Sequence, residues 1–422
     1  MSDTVTNPVI PGFHPDPTVC RVGTDYYLAC SSFEYFPGVP IFHSRDLVSW
    51  TQIGNVLDRP SQLRLAHPTT APSSGGIYAP TLRHHDSRFW LIVTNVSDGG
   101  NLLCTATDPA SPWSDPVRLP GITGIDPDLA WDDDGNCWCT FAGIQQVRID
   151  PHTGQTFGAP HRLWSGTPGA RFPEAPHLYR IGEYWYLMIA EGGTERGHAV
   201  SIARGDAPTG PFEPCPANPI LTHRGTASPI QNTGHADLVQ AVDGSWWMVL
   251  LGVRPAGGSP GWHVLGRETF LAPVTWVDGW PVVGDVTLDL AAPPWPRQPG
   301  PVEPNRDDFD LGVPRPCWIS PRERPADHCT TNDRAGWLSL RARGDSLDAA
   351  DVVFVGRRQQ HLSCRVRALV DPAQGRGGLA VRLDERHHYE IEAGDRQVRV
   401  LARIGPLCTE VASAPVPAGP LI

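Results

Sequence analysis

Short apolar runs rich in aromatics recur along the first 290 residues, each bounded by Gly, Asp or Asn. DYYLAC at 25–30, RFWLIV at 88–93, NCWCTF at 136–141, EYWYLM at 183–188 and SWWMVL at 245–250 start 63, 48, 47 and 62 residues apart. Aromatic and β-branched runs closed by tight turns read as strands. Upstream of each lies a second short segment: HPDPTVCR at 14–21, YAPTLRHH at 78–85, IDPDLAWD at 125–132, PEAPHLYR at 173–180 and TGHADLVQ at 233–240. Downstream comes a third element, carrying a D-P, D-L or P-x-G turn after most of the copies. No long amphipathic helix separates the units. Five such units of this length predict a five-bladed β-propeller, with a large sandwich or a β-helix as the alternative.

The first strand of a propeller blade lines the central channel. The upstream segments are the candidates for it. Four of them carry Asp16, Asp126, Glu174 and His235 at equivalent places, and the second offers Tyr78 and Pro80. Carboxylates gathered on one axis repel one another, and such groups are kept where chemistry uses them. Two facing carboxyls separated by a gap suit glycoside hydrolysis, one protonated to serve the leaving oxygen and one ionised to activate water. A third can hold the acid's pKa high. Phe33, Tyr78 and Trp262 are candidate aromatic faces for a sugar ring, against the simpler reading of each as core.

Past Pro293 the pattern changes. PPWPRQPGPVEPNRDD is a Pro-rich linker of extended character. WLSLRARG, DVVFVGRRQ, LSCRVRALV, GLAVRLDE, HHYEIEAG and RQVRVLARI then alternate with period two, which predicts a jelly-roll-like β-sandwich. The expected organisation is a catalytic propeller over 1–294, a linker over 295–308 and an accessory sandwich over 309–422. With no obvious closing strand before VPAGPLI, an incomplete sandwich is expected, a naturally short one being the alternative.

Composition narrows the function. The 422 residues include 43 Gly and 45 Pro, which disfavours a helical bundle, and 15 Trp, enough for large cores. The net charge of −11 argues against a nucleic-acid partner. Every basic residue is Arg, so Schiff-base lysine chemistry is excluded. MSDTVTNPVIPG has no basic region followed by an apolar one, and no apolar run reaches membrane-spanning length, so a cytoplasmic enzyme with no membrane partner is expected. The ten Cys are expected as reduced thiols, Cys137 and Cys139 among them as core.

The motifs carry a resemblance. NPVIPGFHPDPTVCRVGTDYYLACSSFEYFPGVPIFHSRDLVSW, SSGGIYAPTLRHHDSRFWLIVTNV, GIDPDLAWDDDG, PEAPHLYRIGEYWYLMIAEGGTERGH, TGHADLVQ and HVLGRETFLAPVTW, in that order over residues 7–295, resemble glycoside hydrolase family 43. Within it the β-xylosidase and α-L-arabinofuranosidase branch is most similar. The resemblance implies a five-bladed propeller and inversion at the anomeric carbon. It implies Asp16 as general base, Glu174 as general acid and Asp126 as modulator of the acid. It places His235 at the channel floor with a water or a calcium ion, and Arg267 on the sugar hydroxyls. No cofactor is required on this reading, calcium being optional. Asp128 departs from the small polar residue common in the family and competes with Asp126. If both faced the channel, the acid's pKa would rise further. Tyr78 stands where many β-xylosidases of this kind carry Trp. His14 is expected to support Asp16, and Asp3, Asp25 and Asp132 to Asp134 to serve turns. The expected activity is release of single xylose units from the non-reducing ends of xylo-oligosaccharides, with α-L-arabinofuranosidase or dual activity as the close alternative. A non-catalytic carbohydrate-binding propeller is the alternative from another class, and homo-oligomerisation is left open.

Overall fold

The computed structural model describes residues 4–65, 73–259 and 261–422. Asp3 lies outside them. Five four-stranded antiparallel sheets follow one another along the chain. Blade I comprises Thr18–Val22, Asp25–Ala29, Gly38–Ser44 and Thr51–Leu57. Blade II comprises Ile77–His85, Arg88–Asn95, Gly100–Ala106 and Val117–Arg118. Blade III comprises Asp128–Trp131, Cys137–Phe141, Gln145–Ile149 and Thr156–Arg162. Blade IV comprises Glu174–Ile181, Tyr184–Glu191, Ala199–Gly205 and Glu213–Pro214. Blade V comprises Gln231–Gln240, Trp246–Val253, Glu268–Val277 and Trp280–Val283. The first strand of each blade touches the first strands of both neighbours, and that of blade V returns to blade I, so the ring closes. This is a five-bladed β-propeller.

The aromatic runs form the second strand of each blade because both of their faces are covered. Each blade is sandwiched between two others, and five apolar clusters fill the five gaps. Leu28, Val19 and Tyr26 of blade I meet Val249 and Leu271 of blade V. Ile41 and Leu57 meet Leu82 and Leu91 across the next gap. Ile92 and Leu103 meet Cys139 and Phe141. Ile144 meets Leu187 and Ile189, and Met188 and Ile202 meet Leu250 and Phe270. Burial of this kind contributes about 25 cal/mol per Å² of apolar surface. The chain's start is tied to its fifth blade. Thr4–Thr6 pairs with Asp289–Ala291, and the Asn7 side chain bonds both the carbonyl and the amide of Leu271.

The segment after the propeller is less regular than its alternation predicts. Trp295 donates to the Asp46 carbonyl and Arg297 ion-pairs with the buried Asp46 carboxylate, so the first part of the linker lies on blade I. Gly377–Asp384, His387–Gly394, Gln397–Ile404 and Leu407–Pro415 form one four-stranded antiparallel sheet. Of the three earlier alternating segments, only Ser339–Leu340 is strand. DVVFVGRRQ contributes a single bridge, Gly356 to Ile319, and LSCRVRALV one at Val370. Alternation makes a strand only where a neighbour supplies the ladder, and among the described residues none flanks 362–369. The second domain docks on the propeller beside its channel. Ser320–Pro321 pairs with Tyr35–Phe36, and the Arg322 amide donates to the Glu34 carbonyl at 2.6 Å.

Candidate active site

Several candidate site residues and their neighbours have strained backbone. Asp16, Phe33, Asp126, Ala175 and His235 have φ of 57°, 51°, 53°, 49° and 45°. L-residues hold such angles at a cost of about 1–3 kcal/mol, and they concentrate at functional sites. Register shifts follow at the same ends, between Glu174 and His177 and on either side of Gly234. Such bulges turn side chains out of the pleat, and here they occur where Glu174 and His235 leave it.

Asp16 is 4% exposed. Its Oδ1 accepts from Arg267 Nη1 at 2.9 Å and its Oδ2 from Ser31 Oγ at 2.5 Å. His235 Nδ1 stands 3.6 Å from Oδ1. Burial alone would raise this carboxyl. The positive field of Arg267, helped by His235 and the Ser31 bond, holds it below its usual range. Glu174 goes the other way. Burial, then the charge of Asp16, push it up to about 7, against a smaller pull from Arg267. Asp126 is likewise raised, by burial and then by Glu174 and Asp16. Two adjacent carboxyls with one strong field between them share a proton. The Ala175 amide donates to Asp126 and pulls against its rise.

Phe33 and Arg267 meet at the same place. The guanidinium lies over the Phe33 ring, 5.4 Å from its centre. Phe33 is flanked by Phe13 and Tyr78 at 5.4 and 5.5 Å, forming one aromatic wall. Trp262 sits on a separate hairpin bridged to Ala256 and is 65% exposed. Glu268, next to Arg267, pairs with Arg254 and accepts from the Gly12 amide, fixing the segment that carries Phe13. His14 bonds the Pro11 carbonyl, packs edge-on against Phe42 and is held to about 3, mainly by burial. Asp25 begins a strand and binds His43 and Arg45; Asp132 caps the turn before Gly135. Cys137 and Cys139 are core, and all ten cysteines are free.

Asp128 is engaged elsewhere. It is fully buried and binds Arg83 Nη2 at 2.7 Å and the Leu178 amide at 2.9 Å. Its charge is spent on Arg83, so it does not add to the field that raises the acid. Arg83 also pairs with the buried Asp237 at 2.9 Å, whose carboxyl is held far below its usual range against the cost of burial. Neither Arg83 nor His198 is visible in the sequence as a site residue. The one available signal is the period of two, which carries Asp16, Asp126 and His235 on to Thr18, Asp128 and Asp237 on the same face.

Around His235 the donors are nitrogen-rich. His177 and His198 bear on it, and burial holds it to about 4. The buried Nε2 atoms of His177 and His198 have no partner. The one carboxylate there, Asp16, is already held by Arg267 and Ser31. Among the described residues no group of three or more His, Cys, Asp or Glu could hold a metal ion. Calcium takes 6–8 oxygen ligands, so these residues do not fit a protein-held calcium, and one imidazole at His235 would leave its shell to water.

A propeller whose axis gathers three carboxyls, two of them raised above their ordinary range, with an arginine and an aromatic wall beside them, defines an acid–base site built for a polar ring-shaped substrate. The description "Glycosyl hydrolases family 43" matches residues 5–281, and "Beta xylosidase C-terminal Concanavalin A-like domain" matches 306–421. A non-reducing end α-L-arabinofuranosidase of Bacteroides ovatus is 41% identical over 95% of this chain and 78% of its own length. A xylosidase/arabinosidase of Butyrivibrio fibrisolvens is 38% identical over 95% of this chain and 82% of its own. The crystal structure of the GH43 BlXynB protein of Bacillus licheniformis superimposes with a TM-score of 0.90 at 32% identity, covering 99% of this chain and 85% of that one. The chain belongs to glycoside hydrolase family 43 and is a hydrolase of O-glycosyl bonds. Among the described residues no helix is long and apolar enough to cross a membrane.

Proposed function

We propose that the enzyme is an inverting exo-glycosidase that releases xylose from the non-reducing ends of xylo-oligosaccharides. Asp16 acts as general base on water, Glu174 as general acid on the leaving oxygen, and Asp126 keeps Glu174 protonated near neutral pH. Arg267 and His235 reach the sugar hydroxyls, and Phe33 with Tyr78 faces the ring. One observation carries the reading. The same buried site holds Asp16 below its ordinary pKa and lifts Glu174 to about 7. Opposed shifts of two carboxyls assign the ionised and the protonated role.

α-L-Arabinofuranosidase or dual activity is the second reading. The names of the Bacteroides and Butyrivibrio relatives favour it, and so does the smaller Tyr78 at the aromatic wall. Paired assays on 4-nitrophenyl β-xyloside and α-L-arabinofuranoside decide. Higher kcat/KM on the xyloside supports the first reading, and higher kcat/KM on the arabinofuranoside replaces it with the second. Ten free cysteines fit a reducing compartment, which supports a cytoplasmic place for the enzyme.

A further inference from the structure

The second domain grips the propeller at the two segments that carry the aromatic wall. Residues 31–36 and 73–78 run side by side. The Phe33 amide donates to the Ile77 carbonyl at 2.8 Å, and the Ile77 amide to the Phe33 carbonyl at 3.0 Å. Gly76, at φ +82°, passes so close that a Cβ there would lie 2.2 Å from the Phe33 carbonyl oxygen. Phe33 has a strained φ of its own, so the direction of its ring depends on what holds the flanking backbone. One residue further on, the chain is cross-linked twice. The buried Glu34 carboxylate accepts from the Ser74 amide at 3.1 Å, and the Glu34 carbonyl accepts from the Arg322 amide of the second domain. Arg322 Nη1 donates to Glu385 Oε1 at 2.6 Å, and Ser73 Oγ to Glu385 Oε2 at 3.1 Å. Arg382 Nη2 adds a bond to Glu385 Oε1 at 2.7 Å. The side chains of Arg322 and Arg382 are both buried.

We propose that Glu34, Arg322 and Glu385 are positioning residues, which set the place of Phe33 and Tyr78 from outside the channel. Their bonds close a circuit from Glu34 to Arg322, on to Glu385 and Ser73, and through Ser74 back to Glu34. Two segments tied to each other and to a second domain cannot slide apart without breaking charge-assisted bonds in a buried place, where water does not readily replace them. Phe33 directly precedes the cross-linked Glu34, and Tyr78 follows the Ile77 that is bonded to Phe33. The two rings are in contact, so they are held together. Asp16 is held independently. Its donor Ser31 is fixed by an amide bond to the Pro15 carbonyl at 3.1 Å. The second domain therefore governs affinity for the sugar without governing the base. The proposal rests on the reading of Phe33 and Tyr78 as the face for the sugar ring.

Ser73→Ala opens the circuit by deleting one hydroxyl, and Glu385→Ala removes its charged corner. KM on 4-nitrophenyl β-xyloside should rise by about 2- to 5-fold in the first and about 5- to 20-fold in the second, with kcat within about twofold and both pH limbs in place. Glu385→Gln keeps an oxygen for the arginines and an amide that donates to Ser73 Oγ, and should recover most of the loss. Hydrogen exchange read by mass spectrometry should be faster in both Ala variants over 31–36 and 73–78, and unchanged over 174–181. Unchanged exchange in the first two segments, wild-type KM in both Ala variants, a fall in kcat with KM held, or a Gln variant no better than Ala would each overturn the proposal. Ser73→Ala, which removes no charge, carries the test if Glu385→Ala does not fold. Phe33→Ala run alongside separates the two readings. If it leaves KM unchanged, the wall does not face the sugar and that reading falls. If it raises KM while the Ser73 and Glu385 variants do not, the positioning role alone falls.

Discussion

Replacing Asp126 with Asn removes one charge and little volume from beside Glu174. Glu174 sits at about 7 against an ordinary 4.5, a rise equivalent to roughly 3 kcal/mol at 1.36 kcal/mol per unit. Burial, then the charge of Asp16, raise it. Asp126 and Glu174 repel within the same buried pocket. For carboxyls within about 6 Å of each other at an effective dielectric of about 20, that repulsion would be about 3 kcal/mol, or two pK units. Proton sharing within the pair means that only part of it is felt, so a fall of about one unit is expected. A general acid must be protonated to work, so the alkaline limb of kcat should move from near pH 7 towards pH 6. The assay is kcat against pH from 4 to 9 on xylobiose, whose leaving group needs a proton. An alkaline limb that stays in place, or moves to higher pH, refutes the reasoning.

Three further outcomes are expected. Asp128→Ala leaves Arg83 short of one carboxylate in a fully buried site, and should cost about 3–5 kcal/mol; urea unfolding measures it, and a loss below 1 kcal/mol would contradict the assignment. Burial holds His14, His198 and His235 at about 3, 4 and 4, so the unfolded chain takes up three protons as pH falls through about 6.5 while the folded one does not. Glu174 and Asp126 offset one or two of these, because the folded state keeps protons that the unfolded chain releases above about 4.5. With both offset, the net approaches one proton once the unfolded histidines are charged, a stability loss of up to about 1.4 kcal/mol per unit between pH 6.5 and 4.5, and equal urea midpoints at the two ends would contradict it. Gly12 has φ +84° and would place a Cβ 2.5 Å from the Gln359 carbonyl oxygen of the second domain; Gly12→Ala should lower the melting temperature and raise KM through the adjacent Phe13, and unchanged values of both would show that this contact is slack.

The propeller was legible because each blade writes the same pattern. The aromatic second strands are covered on both faces, so their runs are continuous and separated by turns. The fourth strands of blades II and IV were not legible, since Val117–Arg118 and Glu213–Pro214 are two residues long and carry no aromatic signal. Asp16, Asp126, Glu174 and His235 were legible because they lie in or just before the first strands of their blades. Arg83 was not, because its partners lie 45 to 154 residues away, and an arginine in TLRHH looks like any solvated charge until five strands converge on it. The same limit applies to the second domain. Alternation in DVVFVGRRQ and LSCRVRALV reports two chemically different faces, but only a neighbouring strand makes a ladder, and the sequence does not name that neighbour.

The proposed pairing of Asp16 as general base with Glu174 as general acid is tested most directly by the anomer of the first-formed sugar. Proton NMR of xylobiose hydrolysis by the wild-type enzyme, recorded before mutarotation, should show α-xylose accumulating first. β-Xylose as the first product would mean that the configuration is retained and that Asp16 attacks the sugar itself, contradicting the account.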